Sequence, residues 1–147
     1  MASVLLFNFT DEKRSLAVKA QLFRLSIACR DVAPADQRHP LGFLLGLAEY
    51  GPGAPAARAP FADEMLVMHD LSQRQFHGLL DGMKQAGIQV PLKAVITPHN
   101  VGWTAERLHS EIRSEHEAMR NRPGTNERFS QRPFNGKERE GQGGRNQ

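Results

Sequence analysis

The segment 72–87 constrains the fold of this chain more than any other part of the sequence. Ser72 and Gln75 have the spacing of a capping box, in which each side chain bonds the other residue's backbone amide. Gly87 is a typical left-handed residue at the end of a helix. Between them, four apolar residues recur at helical spacing, namely Phe76, Leu79, Leu80 and Met83. The sequence therefore predicts a helix with two defined ends and one buried face.

Two apolar runs flank this helix and predict strands, at Met65–Met68 and Leu92–Ile96. A strand joined to the next strand by a helix normally forms a right-handed parallel crossover. Thr104 is then a suitable N-cap for a last helix, which has Glu106 in its first turn. The apolar stripe of that helix is Leu108, Ile112 and Met119. Residues 64–119 are thus predicted to fold as strand, helix, strand and helix.

Residues 1–48 repeat this order. A strand is predicted at Val4–Phe9 and a first helix capped by Thr10, followed by a short strand at Val32-Ala33 and a helix starting at Pro40. The sequence VLLFNFT aligns with LVMHDLS of the second half, which suggests an internal duplication. The buried stripe of the first helix is predicted to be Leu16, Ala20, Phe23 and Ile27. We expect an α/β (or α+β) fold in which two tandem β-α-β-α halves form one four-stranded sheet with helices packed on it.

Composition separates the two halves from the rest of the chain. Residues 49–63 hold three prolines and two glycines and predict a linker between half 1–48 and half 64–119. Residues 120–147 lack periodicity and predict a disordered tail. This tail has seven basic and three acidic residues, a net charge of +4, whereas 1–119 has 12 basic and 13 acidic residues. The overall +3 is therefore weak evidence about the folded part.

Several classes of protein are excluded by composition and motifs. The single Cys29 rules out a disulfide framework within the chain and a cysteine zinc site. The longest apolar run, residues 41–48, is far short of the about 20 residues that span a membrane. The first residues lack the basic segment of a secretory signal, so we expect a cytoplasmic protein. No nucleophile elbow, phosphate loop or dinucleotide fingerprint is present, so no cofactor is expected and a non-enzymatic role is favoured.

The run PLKAVITPHNVGWTAERLHSEIRSEHEAM, with the strand and helix before it, resembles a bacterial family known as domain of unknown function 3783. The departures from the family pattern are His99–Gly102, the proline-rich linker and the basic tail. Its markers are Gly87-Ile88, Pro91–Val95, Thr97-Pro98, Asn100, Trp103-Thr104 and Glu115-His116. The first half resembles longer members through Pro40-Leu41-Gly42 and Leu45-Gly46-Leu47. The resemblance implies a family and no established chemistry.

The turn between the last strand and the last helix is the first candidate site. Ligands of open α/β sheets favour the carboxyl ends of strands, and a helix start offers free amides to an anion. His99 could titrate near neutral pH and Asn100 could orient a ligand. The alternative is a structural turn in which Asn100 forms an Asx turn and Trp103 packs on the helix. The candidates for a ligand or partner are Thr97, Pro98, His99, Asn100, Trp103 and Thr104.

Other groups are weaker candidates. Glu106, His109 and His116 could share a helix face as metal ligands, but Arg113 lies between them, so a solvated face is favoured and no metal is expected. Cys29 is predicted to be buried, as a small apolar residue. His69 and Asp70 point to opposite sides of an extended chain and are poor partners for each other.

Three functions remain open. The favoured one is a module that binds an unknown protein or a small molecule through its turns, and this architecture is compatible with a homodimer. The second is RNA or ribosome association through the tail, against the alternative of a solubilising extension. The third is an enzyme that uses His99. The nucleic-acid candidates are Arg120, Arg122, Arg128, Arg132, Arg139 and Arg145, interleaved with Phe129 and Phe134.

Deletion of residues 121–147 tests the second function. If the tail binds RNA, the deletion abolishes salt-sensitive binding of an RNA oligonucleotide, because phosphate contacts come from the basic residues. Fluorescence anisotropy measures the binding, and circular dichroism checks that the body stays folded. Absence of binding by the full chain at low salt would contradict this function.

Overall fold

The computed structural model describes residues 1–56 and 58–120, with Arg120 described in its backbone only. None of the helices in this part is both long and apolar enough to cross a membrane. The elements are β1 (Ser3–Phe7), α1 (Glu12–Arg24), β2 (Ala28–Val32), a 3₁₀ helix (Pro34–Arg38), α2 (Leu41–Leu44), β3 (Met65–His69), α3 (Gln73–Gln85), β4 (Leu92–Val95) and α4 (Ala105–Arg120).

The four strands form one mixed sheet in the order β2-β1-β3-β4. β1 and β2 are parallel and connected through α1, and β3 and β4 are parallel and connected through α3. The two pairs meet in the middle, where β1 and β3 run antiparallel with Leu5 opposite Val67. The predicted α/β class and four-stranded sheet are confirmed.

Both faces of the sheet are covered, which explains why the two central strands are almost wholly apolar. Val4 and Leu6 of β1 pack in the cluster that contains the buried residues of α1 and α3. Leu5 and Phe7, which alternate with them, pack in the cluster that contains residues of α2 and α4. The result is a sheet sandwiched between two layers of helices.

Helix α3 has the ends that the sequence predicts. Ser72 Oγ accepts a hydrogen bond from the Gln75 amide at 3.1 Å, and Gln75 Oε1 accepts one from the Ser72 amide at 3.0 Å. Gly87 has a φ of +74°, in the left-handed region. Glycine also sets the packing of α3 on α1, since a Cβ at Gly78 would lie 2.9 Å from Leu25 Cδ2. The predicted capping box and left-handed terminus are confirmed.

Helix α1 begins one residue later than predicted. Asn8 takes a left-handed φ of +65°, and the Thr10 amide donates to its carbonyl, so the turn after β1 still includes Thr10. Asp11 is the N-cap, and its carboxylate accepts from the amides of Lys13 and Arg14. The prediction that Thr10 caps this helix is therefore wrong.

The predicted buried stripe of α1 is also wrong. Leu16 is 62% exposed and Phe23 is 87% exposed, whereas Val18 and Leu22 are buried against the sheet. Both sets have helical spacing, so the periodicity alone does not choose between them. Ile27 is buried, but it lies beyond the end of the helix. In the structure Val18 and Leu22 are the residues of α1 that pack in the cluster shared with the sheet and α3.

Edge strand β2 differs from the prediction in length and in exposure. It covers Ala28–Val32 rather than only the expected Val32-Ala33, and of its side chains Val32 alone is buried. Cys29 is exposed, so its predicted burial is wrong. Its neighbour Val4 on β1 already fills the core beneath α1, and the edge position leaves Cys29 open to solvent.

The segment 49–63, which we call the strap, contains no helix or strand among its described residues. It is held on the body by side chains of the first half. Gln37 is fully buried and exchanges two hydrogen bonds with the backbone of Phe61, of 3.1 and 2.9 Å. His39 Nδ1 accepts from the Gly53 amide at 2.9 Å, and Asn8 donates to the Phe61 and Asp63 carbonyls. The strap therefore lies against the sheet sandwich.

Substitutions at Asp11 and Thr10 distinguish the two capping schemes. We expect Asp11→Ala to lower the free energy of unfolding by about 1 kcal/mol, because two helix amides lose their acceptor. Thr10→Ala should change it by less than about 0.5 kcal/mol, as expected for an exposed side chain. Urea unfolding followed by circular dichroism measures both values. A larger loss for Thr10→Ala than for Asp11→Ala would contradict the observed cap.

Candidate functional site: the 97–104 turn and the adjoining cleft

Asn100 holds the turn between β4 and α4 together. Its side chain is fully buried; Oδ1 accepts from the Thr97 amide at 2.8 Å, and Nδ2 donates to the Val95 carbonyl at 3.2 Å. Thr97 Oγ1 accepts in return from the amides of His99 and Asn100, at 3.2 and 3.3 Å. The Asn100 amide group is thus engaged with the backbone, while Pro98 and His99 are exposed at the tip of the turn.

The end of this turn is docked on the first half of the chain. Thr104 forms an isolated antiparallel bridge with Pro40. The Leu41 amide donates to the Trp103 carbonyl at 2.8 Å, and the Ala105 amide donates to the His39 carbonyl at 3.2 Å. Thr104 Oγ1 also accepts from the Arg107 amide at 3.1 Å, which is the N-cap contact predicted from the sequence. The start of α4 is therefore held both by hydrogen bonds to the first half of the chain and by its own N-cap.

A stack of three side chains projects from this fixed frame. Trp103 is half-buried, and it packs on the cluster under α4. The Arg107 guanidinium carbon lies 4.1 Å from the centroid of the Trp103 ring, and the His99 ring meets Trp103 edge-on with centroids 5.4 Å apart. We call His99, Trp103 and Arg107 the aromatic–cation surface. Within the described part of the chain, the Arg107 guanidinium makes no hydrogen bond or ion pair.

A cleft of about 620 Å³ adjoins this surface, between the strap and α4. Thr104 and Arg107 lie on its border, so the cleft and the aromatic–cation surface are continuous. Arg58 lines the cleft from the strap, and the hydroxyls of Ser110 and Ser114 line it from α4. The cleft thus offers hydrogen-bond donors beside Arg107, together with three carboxylates, those of Glu106, Glu111 and Glu117.

His109 forms a rigid wall of the cleft. It is only 7% exposed, and its ring stacks on Phe61 with centroids 3.9 Å apart and planes inclined by 4°. Its Nε2 lies 2.9 Å from Asp63 Oδ2, and Arg113 Nη1 lies 3.4 Å from the same oxygen. The pKa of Arg113 is raised above its usual value, first by a hydrogen bond to Glu117 and then by the charge of Asp63. These contacts fasten the strap to α4.

The second half of the chain is similar to a known family. Residues 64–119 match the family model described as Domain of unknown function (DUF3783). The resemblance expected from the sequence is thereby confirmed. The DUF3783 segment comprises β3, α3, β4 and nearly all of α4, and so carries the 97–104 turn, the aromatic–cation surface and the α4 side of the cleft. A comparison of the chain with curated proteins gives no match.

Of the residues weighed as metal ligands in the DUF3783 segment, His109 contacts Phe61 and Asp63. Among the described residues there is no group of three or more His, Cys, Asp or Glu side chains that could hold a metal ion. The nucleic-acid candidates Arg122, Arg128, Arg132, Arg139 and Arg145 lie outside the described residues, as does the side chain of Arg120.

Sequence reasoning missed two parts of the site. Arg107 lies in the first turn of α4, four residues after Trp103, and this spacing around the predicted helix start could have indicated that they meet. Phe61, Asp63 and Arg58 belong to the strap, where no periodic pattern exists. Contacts with residues far along the chain, among them the hydrogen bonds from Gln37 and Asn8, place that segment beside α4. No local signal in the sequence could have found them.

Replacement of Asn100 tests the frame of the DUF3783 turn. We expect Asn100→Ala to lower the free energy of unfolding by about 2–3 kcal/mol, because the buried amide of Thr97 and carbonyl of Val95 lose their partners. His99→Ala is the matched control and should cost less than about 0.5 kcal/mol, since that side chain is exposed. Chemical denaturation measures both. Equal stability of Asn100→Ala and the parent chain would contradict this role.

Proposed function

We propose that the protein is a non-enzymatic module that binds a carboxylate-bearing partner on the aromatic–cation surface and the adjoining cleft. The observation that carries this proposal is the Arg107 guanidinium stacked at 4.1 Å over Trp103, without a carboxylate partner among the described residues. The stack on Trp103 gives the guanidinium a defined orientation at the protein surface.

The chemistry of this pair favours a planar anion. A guanidinium has donors in a rigid fork that matches the two oxygens of a carboxylate. Stacking on tryptophan immobilises the fork before binding, so less conformational entropy is lost when a ligand arrives. Tryptophan and arginine are also enriched among the residues that dominate binding energy at protein interfaces. Arg58, Ser110 and Ser114 supply further donors in the cleft.

His99 fits this binding role better than a catalytic one. A general base needs a hydrogen-bonding partner that orients it and a reacting group within about 3 Å. The contact that the structure gives the His99 ring is the edge of Trp103, at 5.4 Å between centroids. His99 therefore extends the aromatic–cation surface toward the exposed tip of the turn.

Binding of fluorescein-labelled polyglutamate tests the proposal. The parent chain should bind it at low salt with an affinity that falls as salt rises. We expect Arg107→Gln to weaken binding about tenfold or more, because a charge-assisted carboxylate contact is lost. Arg74→Gln, at an exposed arginine of α3, is the matched control and should leave binding unchanged. Fluorescence anisotropy measures the dissociation constants.

Two results would contradict the proposed function: no binding of polyglutamate by the parent chain at low salt, or an equal loss in Arg107→Gln and Arg74→Gln. The second result would mean that only net charge matters. Competition by free citrate separates two sources of the same chemistry. Citrate is added until its carboxylate concentration equals that of the polymer. Displacement of polyglutamate at that point indicates a small-molecule ligand, and continued binding of polyglutamate indicates a polypeptide partner.

We also propose that the two halves arose by internal duplication. The crossover helices α1 and α3 have 13 residues each, and both are preceded by a left-handed residue, Asn8 or Asp70. Left-handed residues also follow both helices, at Ser26 and Gly87. Strand direction supports the same relation, since each half pairs its strands in parallel. A shared ancestor accounts for these matches.

The duplicated counterpart of the aromatic–cation surface has a different chemistry. His39 and Phe43 stand before and within α2 as Trp103 and Arg107 stand before and within α4, and their rings lie 4.6 Å apart. The Leu41 amide donates to the Trp103 carbonyl, and the Ala105 amide donates to the His39 carbonyl. Each turn therefore bonds the other in the same way. Because His39 is buried and Phe43 has no charge, we assign one acidic-partner surface to each chain.

A second candidate function is RNA association through residues 120–147, which the net charge of +4 favours. The deletion of residues 121–147 described above is its test. For either function we propose the bacterial cytoplasm as the setting. The exposed thiol of the single Cys29 is suited to a reducing compartment.

A further inference from the structure

His109 has a buried ring nitrogen that no other described residue binds. Its side chain is only 9% exposed, and its Nε2 lies 2.9 Å from Asp63 Oδ2. Within residues 1–56 and 58–119, its second nitrogen, Nδ1, makes no hydrogen bond. Buried polar atoms are nearly always hydrogen-bonded, so a partner for Nδ1 is expected from outside these residues. His109 lines the cleft between the strap and α4, which is open to such a partner.

The contact with Asp63 decides what Nδ1 can bind. A carboxylate accepts hydrogen bonds, so the proton of the neutral His109 ring is placed on Nε2. Nδ1 then carries a lone pair and acts as an acceptor. The stack on Phe61 holds the ring in this orientation. The partner of Nδ1 must therefore donate a hydrogen bond, which an ammonium, an amide or a hydroxyl group can do and a carboxylate cannot.

Two carboxylates in the same cleft favour a cationic amine as this donor. Glu106 is half-buried and Glu111 is exposed, and both line the cleft. Neither forms an ion pair with another residue that the structure describes. Glu106 precedes His109 by three residues, a spacing that makes two side chains neighbours on a helix. An ammonium group bound to His109 Nδ1 would thus also meet a carboxylate, whereas a neutral hydroxyl would gain less from it.

The charges along the cleft are balanced. Three arginines and three glutamates line it: Arg58, Arg107, Arg113, Glu106, Glu111 and Glu117. Arg113 and Glu117 bind each other at 3.0 Å. The remaining arginines are open to an anion and the remaining glutamates to a cation. A ligand with negative charge alone would place part of that charge against the glutamates, so a ligand with both charges suits the lining better.

We propose that the cleft binds a small zwitterion, whose carboxylate lies on the aromatic–cation surface and whose cationic amine lies between Glu106 and His109 Nδ1. This inference rests on the proposed function, which supplies the carboxylate site, and it adds the class of ligand. The cleft volume of about 620 Å³ is typical of small-molecule sites.

The positions of the two sites determine the form of this zwitterion. The Arg107 guanidinium lies over Trp103, which precedes α4, whereas His109 lies in the second turn of α4. Each turn of a helix advances about 5.4 Å, so a chain of several atoms must separate the carboxylate from the amine. The ligand class is therefore that of ω-amino acids such as 6-aminohexanoate, in which the two charges are at opposite ends.

Titration of the full chain with 6-aminohexanoate and with hexanoate tests the ligand class. The two compounds differ only in the terminal ammonium group. We expect 6-aminohexanoate to bind at least about tenfold more tightly, because its ammonium group gains charge-assisted hydrogen bonds. Amide NMR shifts of the 16.4 kDa chain measure both dissociation constants, and the ¹⁵N shift of His109 Nδ1 reports its new hydrogen bond. Equal affinities, no binding of 6-aminohexanoate, or an unchanged Nδ1 resonance on its binding would overturn the proposal.

Two substitutions in the full chain locate the amine site. Glu106→Gln and His109→Gln should each weaken binding of 6-aminohexanoate about tenfold and leave binding of hexanoate unchanged. Glutamine at position 109 keeps an Nε2 donor for Asp63 and removes the ring acceptor. Glu12→Gln, at an exposed acid of α1, is the matched control and should have no effect. Dispersed amide spectra check that each variant folds. Binding of 6-aminohexanoate that stays at the parent level in Glu106→Gln would overturn the amine site, even if His109→Gln failed to fold.

Arg107→Gln separates this inference from the proposed function. It should weaken binding of both compounds, because both place a carboxylate on the aromatic–cation surface. If both compounds depend on Arg107 and bind equally well, the proposed function stands and the zwitterion is overturned. If Arg107→Gln changes the affinity of neither compound, the carboxylate site is wrong and both proposals fail.

Discussion

The antiparallel pairing of β1 with β3 is the contact on which the rest of the structure depends. It joins two parallel strand pairs into one sheet, with Leu5 opposite Val67 at the centre. Each pair alone would leave a strand edge and two apolar faces open to water. Joined, they support one layer of helices on each face. The same pairing brings the Pro40 and Thr104 turns together, and so fixes the frame of the candidate site.

Local sequence signals predicted the elements whose ends carry their own hydrogen-bonding groups. The capping box of Ser72 and Gln75 acts within one turn, so α3 could be predicted with its boundaries. Helix α1 has two apolar stripes, and the packing of the helix on the sheet and on α3 decides that Val18 with Leu22, and not Leu16 with Phe23, is buried. The order of the strands likewise follows from contacts between the halves, which no window of sequence contains.

The candidate site shows the same division. The 97–104 turn was predicted because Thr97, Pro98 and Asn100 are strong turn formers, and the structure shows how the Asn100 side chain closes it. The cleft depends on the strap, which Gln37 and Asn8 hold through the backbone of residues far along the chain. The stack of Phe61 on His109 that lines the cleft therefore forms only when these distant segments pack together. In the aromatic–cation surface, the fixed turn holds the Arg107 guanidinium at an exposed position over Trp103.

Trp103 is the single tryptophan of the chain, so its fluorescence reports directly on the surface proposed to bind acidic partners. The most direct measurement is a titration of the full chain with unlabelled polyglutamate while tryptophan emission is recorded. A ligand that engages the stacked Arg107 should change the emission in a saturable, salt-sensitive way, and Arg107→Gln should abolish the change. An emission that stays constant while polyglutamate binds would contradict the account, because binding would then take place away from Trp103.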